Sequence, residues 1–189
     1  MKRNVPDHRD DRLLEPSPLV RRFASKIVDA AAAKPILDAA CGSGRNAMLL
    51  SQLGCTIICV DKDLTHLEAQ QVRWRSTPLR TASERLVLQH LDLINHRWPF
   101  GLRVMGGIVN VHFFLPALFP FFESSLSPGG YLLLETPPGC GGNYLELPKE
   151  GEVRCALGKA FDLEFYKEGK VGPRAYNTVT VKVLARRRA

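Results

Sequence analysis

The stretch Pro35-Ile-Leu-Asp-Ala-Ala-Cys-Gly-Ser-Gly-Arg-Asn-Ala-Met-Leu-Leu-Ser-Gln-Leu-Gly-Cys-Thr-Ile-Ile-Cys-Val-Asp-Lys-Asp63 decides the fold. A short apolar strand, Ile36 and Leu37, ends in an acid, Asp38. Gly42 and Gly44 follow in a turn that has no side chains to hold a ligand off the backbone, and the turn opens a helix whose first N–H groups are unpaired. Helical spacing puts Ala47, Leu50 and Leu53 on the inner face, and Gly54 suits a left-handed stop. Thr56 to Val60 is a β-branched, apolar run of the kind buried on both faces of a parallel sheet, and Asp61 closes it. Strand, glycine turn, helix, strand and acid make half of a doubly wound nucleotide fold, with the acid placed to accept two ribose hydroxyls.

Two cofactor chemistries fit that half. Gly42-Ser-Gly44-Arg-Asn-Ala47 matches the dinucleotide pattern G-x-G-x-x-G/A, but the hexapeptide alone is a weak signal. Asp38 opposes it, because a carboxylate at the end of the first strand repels a pyrophosphate. S-adenosylmethionine carries no phosphate there and offers an ammonium and a sulfonium, both favoured beside an acid. The plainer role for Asp38 is to cap the helix.

The hydrophobic-Asp-x-x-Cys-Gly-x-Gly-Arg-Asn run, followed by Val-Asp-x-Asp, resembles the first two motifs of the class I S-adenosylmethionine-dependent methyltransferases. The likeness extends from residue 17 to 185. Cys-Gly-x-Gly-Arg-Asn, the brief connection after the third strand, Lys149-Glu-Gly-Glu152 and a late Ala-Arg-Arg are similar to the short bacterial tellurite-resistance type. Ala40 departs from the pattern, since the family most often has glycine there. The resemblance implies a Rossmann-like α/β fold: a seven-stranded, mostly parallel sheet with helices on both faces and a C-terminal antiparallel hairpin. It also implies a cofactor seat drawn from Asp38, Ala40, Cys41, Gly42, Gly44 and Asn46 in the first motif. Asp61, Lys62 and Leu64 come from the second, and Asp92, Leu93 and Asn110 from later strand ends.

Outward from this core, a polar segment, residues 1–15, is expected to be flexible or a lid, and residues 16–189 to form a single methyltransferase domain. Leu19, Val20, Phe23, Ile27, Val28 and Ala31 mark an amphipathic helix from Pro18 to Ala33. A helix over Leu64–Arg75 has Asp63 as cap and stops before Thr77-Pro78. Leu86 to Leu88 begin a third strand running to Asp92, an acid placed where the family commonly meets the adenine amino group; its plain role is a turn residue. Leu93 to Leu102 is too short for a crossover helix, and Trp98-Pro-Phe-Gly101 reads as a packed loop. Strand four, Val104–Val111, contains Gly106-Gly107, which predicts close approach of another backbone. Leu115–Leu126 reads as a helix with an irregular start at Pro120, Ser127–Gly130 as a turn, and Tyr131–Thr136 as strand five. Pro137 to Glu150 is expected to fold over the pocket, Lys149–Gly158 to form a short helix or turn, and Phe161–Glu168 with Tyr176–Leu184 to form the hairpin.

Bulk properties bound the function classes. There is no membrane-spanning apolar run and no signal-peptide core, so the expectation is a cytoplasmic protein. Five cysteines without a C-x-x-C pair argue against a disulfide framework or a metal site. The net charge of +7 suits RNA or DNA, but part of it sits in Arg186, Arg187 and Arg188 and the rest is scattered. The Asn/Asp-Pro-Pro-aromatic motif of exocyclic-amine methylation and the Pro-Cys of cytosine methylation are both missing, so a small metabolite or metalloid acceptor is favoured over nucleic acid, with a non-catalytic nucleotide-cofactor-binding module as the other alternative. His112, Glu135, Tyr144 and Arg174 are expected near the transferred methyl, and none is assigned as catalytic. Oligomeric state is left open.

Overall fold

The structure, a computed structural model, describes residues 15–140 and 142–189. The expected N-terminal flexible segment, apart from Glu15, lies outside the described residues. Seven strands form one sheet in the order β3-β2-β1-β4-β5-β7-β6. They are β1 (Ile36–Ala39), β2 (Ile57–Asp61), β3 (Leu86–His90), β4 (Met105–Val111), β5 (Leu126–Glu135), β6 (Phe161–Val171) and β7 (Thr178–Arg187). The first five pair in parallel, while β7 runs antiparallel to both β5 and β6. Strand order reverses between β1 and β4, so a crevice opens at their C-terminal ends.

Two-residue periodicity divides the core into two layers. Ile36, Cys59 and Val109 face one apolar cluster, shared with Val20, Ile27, Leu50 and Leu67. Leu37, Val60 and Ile108 face the other, shared with Phe119, Phe122, Val153 and Leu157. The helices α1 (Pro18–Ala30), α2 (Arg45–Gln52), α3 (Thr65–Trp74) and α4 (Arg80–Ser83) contribute to the first layer, and α5 (Phe119–Ser125) and α6 (Glu152–Leu157) to the second.

The glycine pair in β4 marks a close approach, by backbone at Gly106 as expected and by a side chain at Gly107. A Cβ on Gly106 would lie 2.5 Å from the Ala31 carbonyl oxygen, and one on Gly107 would lie 2.9 Å from Ile27 Cγ2, so α1 rests directly on this strand. The loop before β4 is packed as read: Trp98 stacks on Phe121 at 5.6 Å and meets Phe100 edge-on at 5.0 Å.

Several boundaries move. α1 stops at Ala30 rather than Ala33, because Ala32 and Ala33 take left-handed backbone angles of φ 50° and 66°. Leu53 is not an inner-face residue: α2 ends at Gln52 and leaves Leu53 44% exposed as its C-cap. α4 is an extra turn of helix after Pro78. Leu126 to Gly130 belong to β5, not to a helix end and a turn; the irregularity is a register shift against β4 between Met105 and Gly107. The hairpin strands are longer than expected, so the reversal falls after Val171, not at Gly169. The terminal arginines are partly spent here: Arg188 pairs with Asp162 at 2.7 Å and Arg187 with Glu123 at 3.4 Å.

Candidate functional site

The loop between β1 and α2 is drawn across the strand ends by backbone and side-chain bonds. Cys41 N–H donates to the Val60 carbonyl at 2.9 Å, and Gly42 N–H donates to Asp61 Oδ2 at 2.8 Å. The other Asp61 oxygen accepts from Asp63 N–H at 3.1 Å, and Asp63 Oδ1 accepts from Thr65 N–H at 3.0 Å just before α3, whose N-cap is Leu64 rather than the expected Asp63. Gly44 (φ 75°) touches α3 so closely that a Cβ would come within 2.3 Å of Leu67 Cδ1. Ala40 sits at φ 58°, a left-handed conformation that costs a residue with a Cβ about 1 kcal/mol or more and glycine nothing. The position's usual glycine therefore has a backbone reason as well as a spatial one.

Between this loop and the ends of β2, β3 and β4 lies a cavity of 560 Å³, within the range of small-molecule sites. Its wall includes Ala40, Cys41, Gly42, Asn46, Asp61, Lys62, Asp92 and Leu93 from the expected seat. Four expected residues are not on it. Asp38 is fully buried behind the loop; Gly44 packs on Leu67; Leu64 is buried in the first core layer; and Asn110 donates its Nδ2 to the Ala39 carbonyl at 3.0 Å, fixing the root of the loop. The wall also holds Val111 from the end of β4, and Ser43, Arg45, Leu91, Ile94 and Phe113, which the motif reading did not single out. Their signal was adjacency alone, since each neighbours a residue that was named.

Asp38 is the electrostatic oddity of the site. Neither of its oxygens has a hydrogen-bond partner, and both are sealed from solvent. Burial pushes its carboxyl from 3.8 up to about 7; the Ala47 amide, near but without closing a hydrogen bond, pulls it down, Asp61 adds to the rise and Arg45 opposes it. The Cys41 thiol is pushed up by its contact with Cys59 and by burial, so it lines the cavity as a neutral group. Asp92 accepts from Ile94 N–H at 2.9 Å and from Asn95 Nδ2 at 2.7 Å, bonds that hold its carboxyl low, the Asn95 bond most. It is therefore both the turn residue of the plainer reading and part of the wall.

At the β4 end, His112 takes φ 59° and donates its N–H to the Glu135 carbonyl at 2.7 Å. Arg45 Nη2 stands 3.3 Å from His112 Nδ1. A guanidinium can only donate, so Nδ1 accepts and the ring proton is on Nε2. Partial burial lowers the imidazole pKa, Glu135 opposes this, and Arg45 and Lys182 lower it further.

The other residues expected near the methyl are elsewhere. Glu135, 5% exposed, is spent on Lys182 at 2.6 Å and on the Ser17 hydroxyl, which donates to it. Ser17 N–H in turn donates to Asn46 Oδ1 at 2.9 Å, which ties the start of α1 to the cavity wall. Tyr144 lies against Gly172 and 5.2 Å from the Tyr176 ring, and Arg174 sits in a turn beside it. The expected lid over Pro137–Glu150 is also displaced: a Cβ on Gly139 would strike Val171, and Val179 N–H donates to the Pro148 carbonyl. None of its described residues reaches the cavity wall, because this loop packs on the far hairpin instead. Among the described residues no cluster of metal-ligating side chains converges, and no helix is long and apolar enough to cross a membrane.

The architecture matches solved methyltransferases. A SAM-dependent methyltransferase from Methanosarcina mazei aligns over 92% of this chain and 99% of its own with TM-score 0.63 at 16% identity. The fold is that of the class I methyltransferases. TehB from Haemophilus influenzae aligns over 87% of this chain and 62% of its own, with TM-score 0.62 at 19% identity. Geranyl diphosphate methyltransferase, solved with geranyl diphosphate and sinefungin, aligns over 89% and 78%, with TM-score 0.61 at 14% identity. No family model matches the sequence, and no curated protein sequence matches it. Identities this low carry the fold alone.

Proposed function

We propose that this chain is an S-adenosylmethionine-dependent methyltransferase acting on a small-molecule acceptor. The observation that carries the reading is Asp38: a buried, unpartnered carboxylate directly behind a backbone loop that faces the cavity. An anion there disfavours a pyrophosphate and favours a cation across the loop. Its action is through the field at short range, since Asp38 does not itself line the wall.

In this reading Asp61 accepts from the ribose hydroxyls with the lone pairs not given to Gly42 and Asp63. Asp92 receives the adenine amino group, and Leu91, Leu93 and Ile94 offer apolar surface to the base. Ala40, Cys41 and Gly42 present backbone to the amino-acid portion, with Asn46 held in place by Ser17. Val111, His112 and Phe113 then border the acceptor's place. The cofactor supplies an already activated methyl group. What the chain contributes is alignment of the two reactants and exclusion of water, which together account for much of the rate in such displacements.

Incubation with tritiated S-adenosylmethionine and a cell extract divided at about 1 kDa tests the acceptor class. Label in the small fraction supports the reading. Label confined to RNA or DNA, with a rate falling steeply as salt rises, overturns it.

A further inference from the structure

The acids of the cavity wall lie on one side of it. Asp61 and Asp92, with Lys62, belong to the β2 and β3 side, whereas the β4 side carries Arg45 and His112. Arg45 is half-buried, and among the described residues it forms no ion pair with a carboxylate; its one side-chain bond is to His112 Nδ1. The nearby acids do not neutralise it. Glu135 is already matched by Lys182, and Asp38 is a buried group on which Arg45 is the weakest influence. The tautomer imposed by Arg45 leaves His112, an exposed residue, with an Nε2–H donor that no described residue accepts. A half-buried guanidinium beside an unused N–H donor, on the wall of a cavity, is a seat for an anion.

We infer that the β4 end of this cavity holds the methyl acceptor as an anion, a carboxylate, thiolate or oxyanion, bonded to Arg45 and His112 Nε2–H. The inference rests on the methyltransferase reading and gives it a substrate class. The chemistry balances without a base. A lone pair of the anionic acceptor forms the bond to the methyl carbon, the carbon–sulfur bond breaks, and its electron pair stays on sulfur. The acceptor's negative charge and the sulfonium's positive charge are both lost, and no proton moves. His112 Nδ1, occupied by Arg45, is not required to take one.

The test uses full-length protein with ¹⁵N-labelled histidine, saturated with S-adenosylhomocysteine and titrated at constant ionic strength with sodium acetate and, separately, sodium phosphate. The His112 ring signals are identified by their loss in His112→Gln. A saturable shift of those signals, with affinity weakened about ten-fold or more in Arg45→Gln while S-adenosylhomocysteine binds that variant within about three-fold of wild type, is the expected result. The wild-type titration stands without any variant, and absence of a saturable shift with either anion overturns the proposal. An anion that competes with S-adenosylhomocysteine, or a ten-fold loss of its affinity in Arg45→Gln, also overturns it, because Arg45 then seats the cofactor's own carboxylate. Failure of wild type to bind S-adenosylhomocysteine is a different result: it overturns the methyltransferase reading and the acceptor assignment with it.

Discussion

Replacing Asp38 with asparagine separates what this residue costs the fold from what it does for binding. Its carboxyl is raised from 3.8 in the unfolded chain to about 7 in the folded protein, mainly by burial. Below pH 3.8 both states hold the proton and the group is neutral to stability. As pH rises toward 7 the unfolded chain ionises first, so folding is progressively penalised, by about 1.4 kcal/mol per pH unit and about 4 kcal/mol in total above pH 7. That is a large share of a domain's net stability of roughly 5 to 15 kcal/mol. The asparagine substitution removes the penalty at a fixed cost of about 1 to 3 kcal/mol for its buried amide, the same at every pH. Urea unfolding of Asp38→Asn and wild type, without ligand, at pH 5 and pH 8 should therefore give a difference that moves in the variant's favour by about 2 to 3 kcal/mol between the two conditions. The same variant should bind S-adenosylhomocysteine more weakly at pH 7. Wild type should tighten about five-fold from pH 6 to 7 as the ionised fraction grows. A stability difference independent of pH, or unchanged ligand affinity in the folded variant, would refute the burial argument and the cation argument respectively.

Asp61→Ala should weaken S-adenosylhomocysteine by about 1.5 to 3 kcal/mol in calorimetric titration, since it removes the acceptor of the Gly42 N–H as well as that of the ribose; unchanged affinity removes Asp61 from the site. Gly44→Val should abolish binding, because φ 75° and a Cβ contact with Leu67 both force the loop to move, and a folded valine variant that still binds shows the loop is not the seat. Gly106→Ala should destabilise the fold by about 3 kcal/mol without touching the cavity, because its methyl meets the Ala31 backbone rather than a movable side chain; thermal unfolding at the wild-type temperature would contradict the packing described.

What the sequence disclosed followed from local physics. Ile36 and Leu37, then Thr56 to Val60, are short β-branched or apolar runs bounded by glycine and acid, and such runs specify buried parallel strands without help from elsewhere. Gly106 and Gly107 point to a close approach, which α1 makes through the Ala31 backbone and the Ile27 side chain, though the sequence does not name the neighbour. The misplacements share a different cause. Leu53 and Leu126 are apolar residues at element ends, where a helical period does not say which turn is the last. The places of Tyr144, Arg174 and the Pro137–Glu150 loop depend on how far the hairpin strands extend and on pairing between residues distant in sequence, such as Lys149 with Thr178. Glu135 is expected near the methyl, but its bond to Ser17 joins residues 118 apart and has no local signature. Arg45 lies within the motif, yet its contact with His112 across the crevice has no local signature.

Calorimetric titration of wild type with S-adenosylhomocysteine and, separately, with NAD at pH 7.5 tests the central claim most directly. Saturable one-to-one binding of S-adenosylhomocysteine in the micromolar range, about −8 kcal/mol, together with no heat from NAD, is the predicted outcome. Binding of NAD with no response to S-adenosylhomocysteine would contradict it, and would mean that the carboxylate behind the loop does not select for a cation.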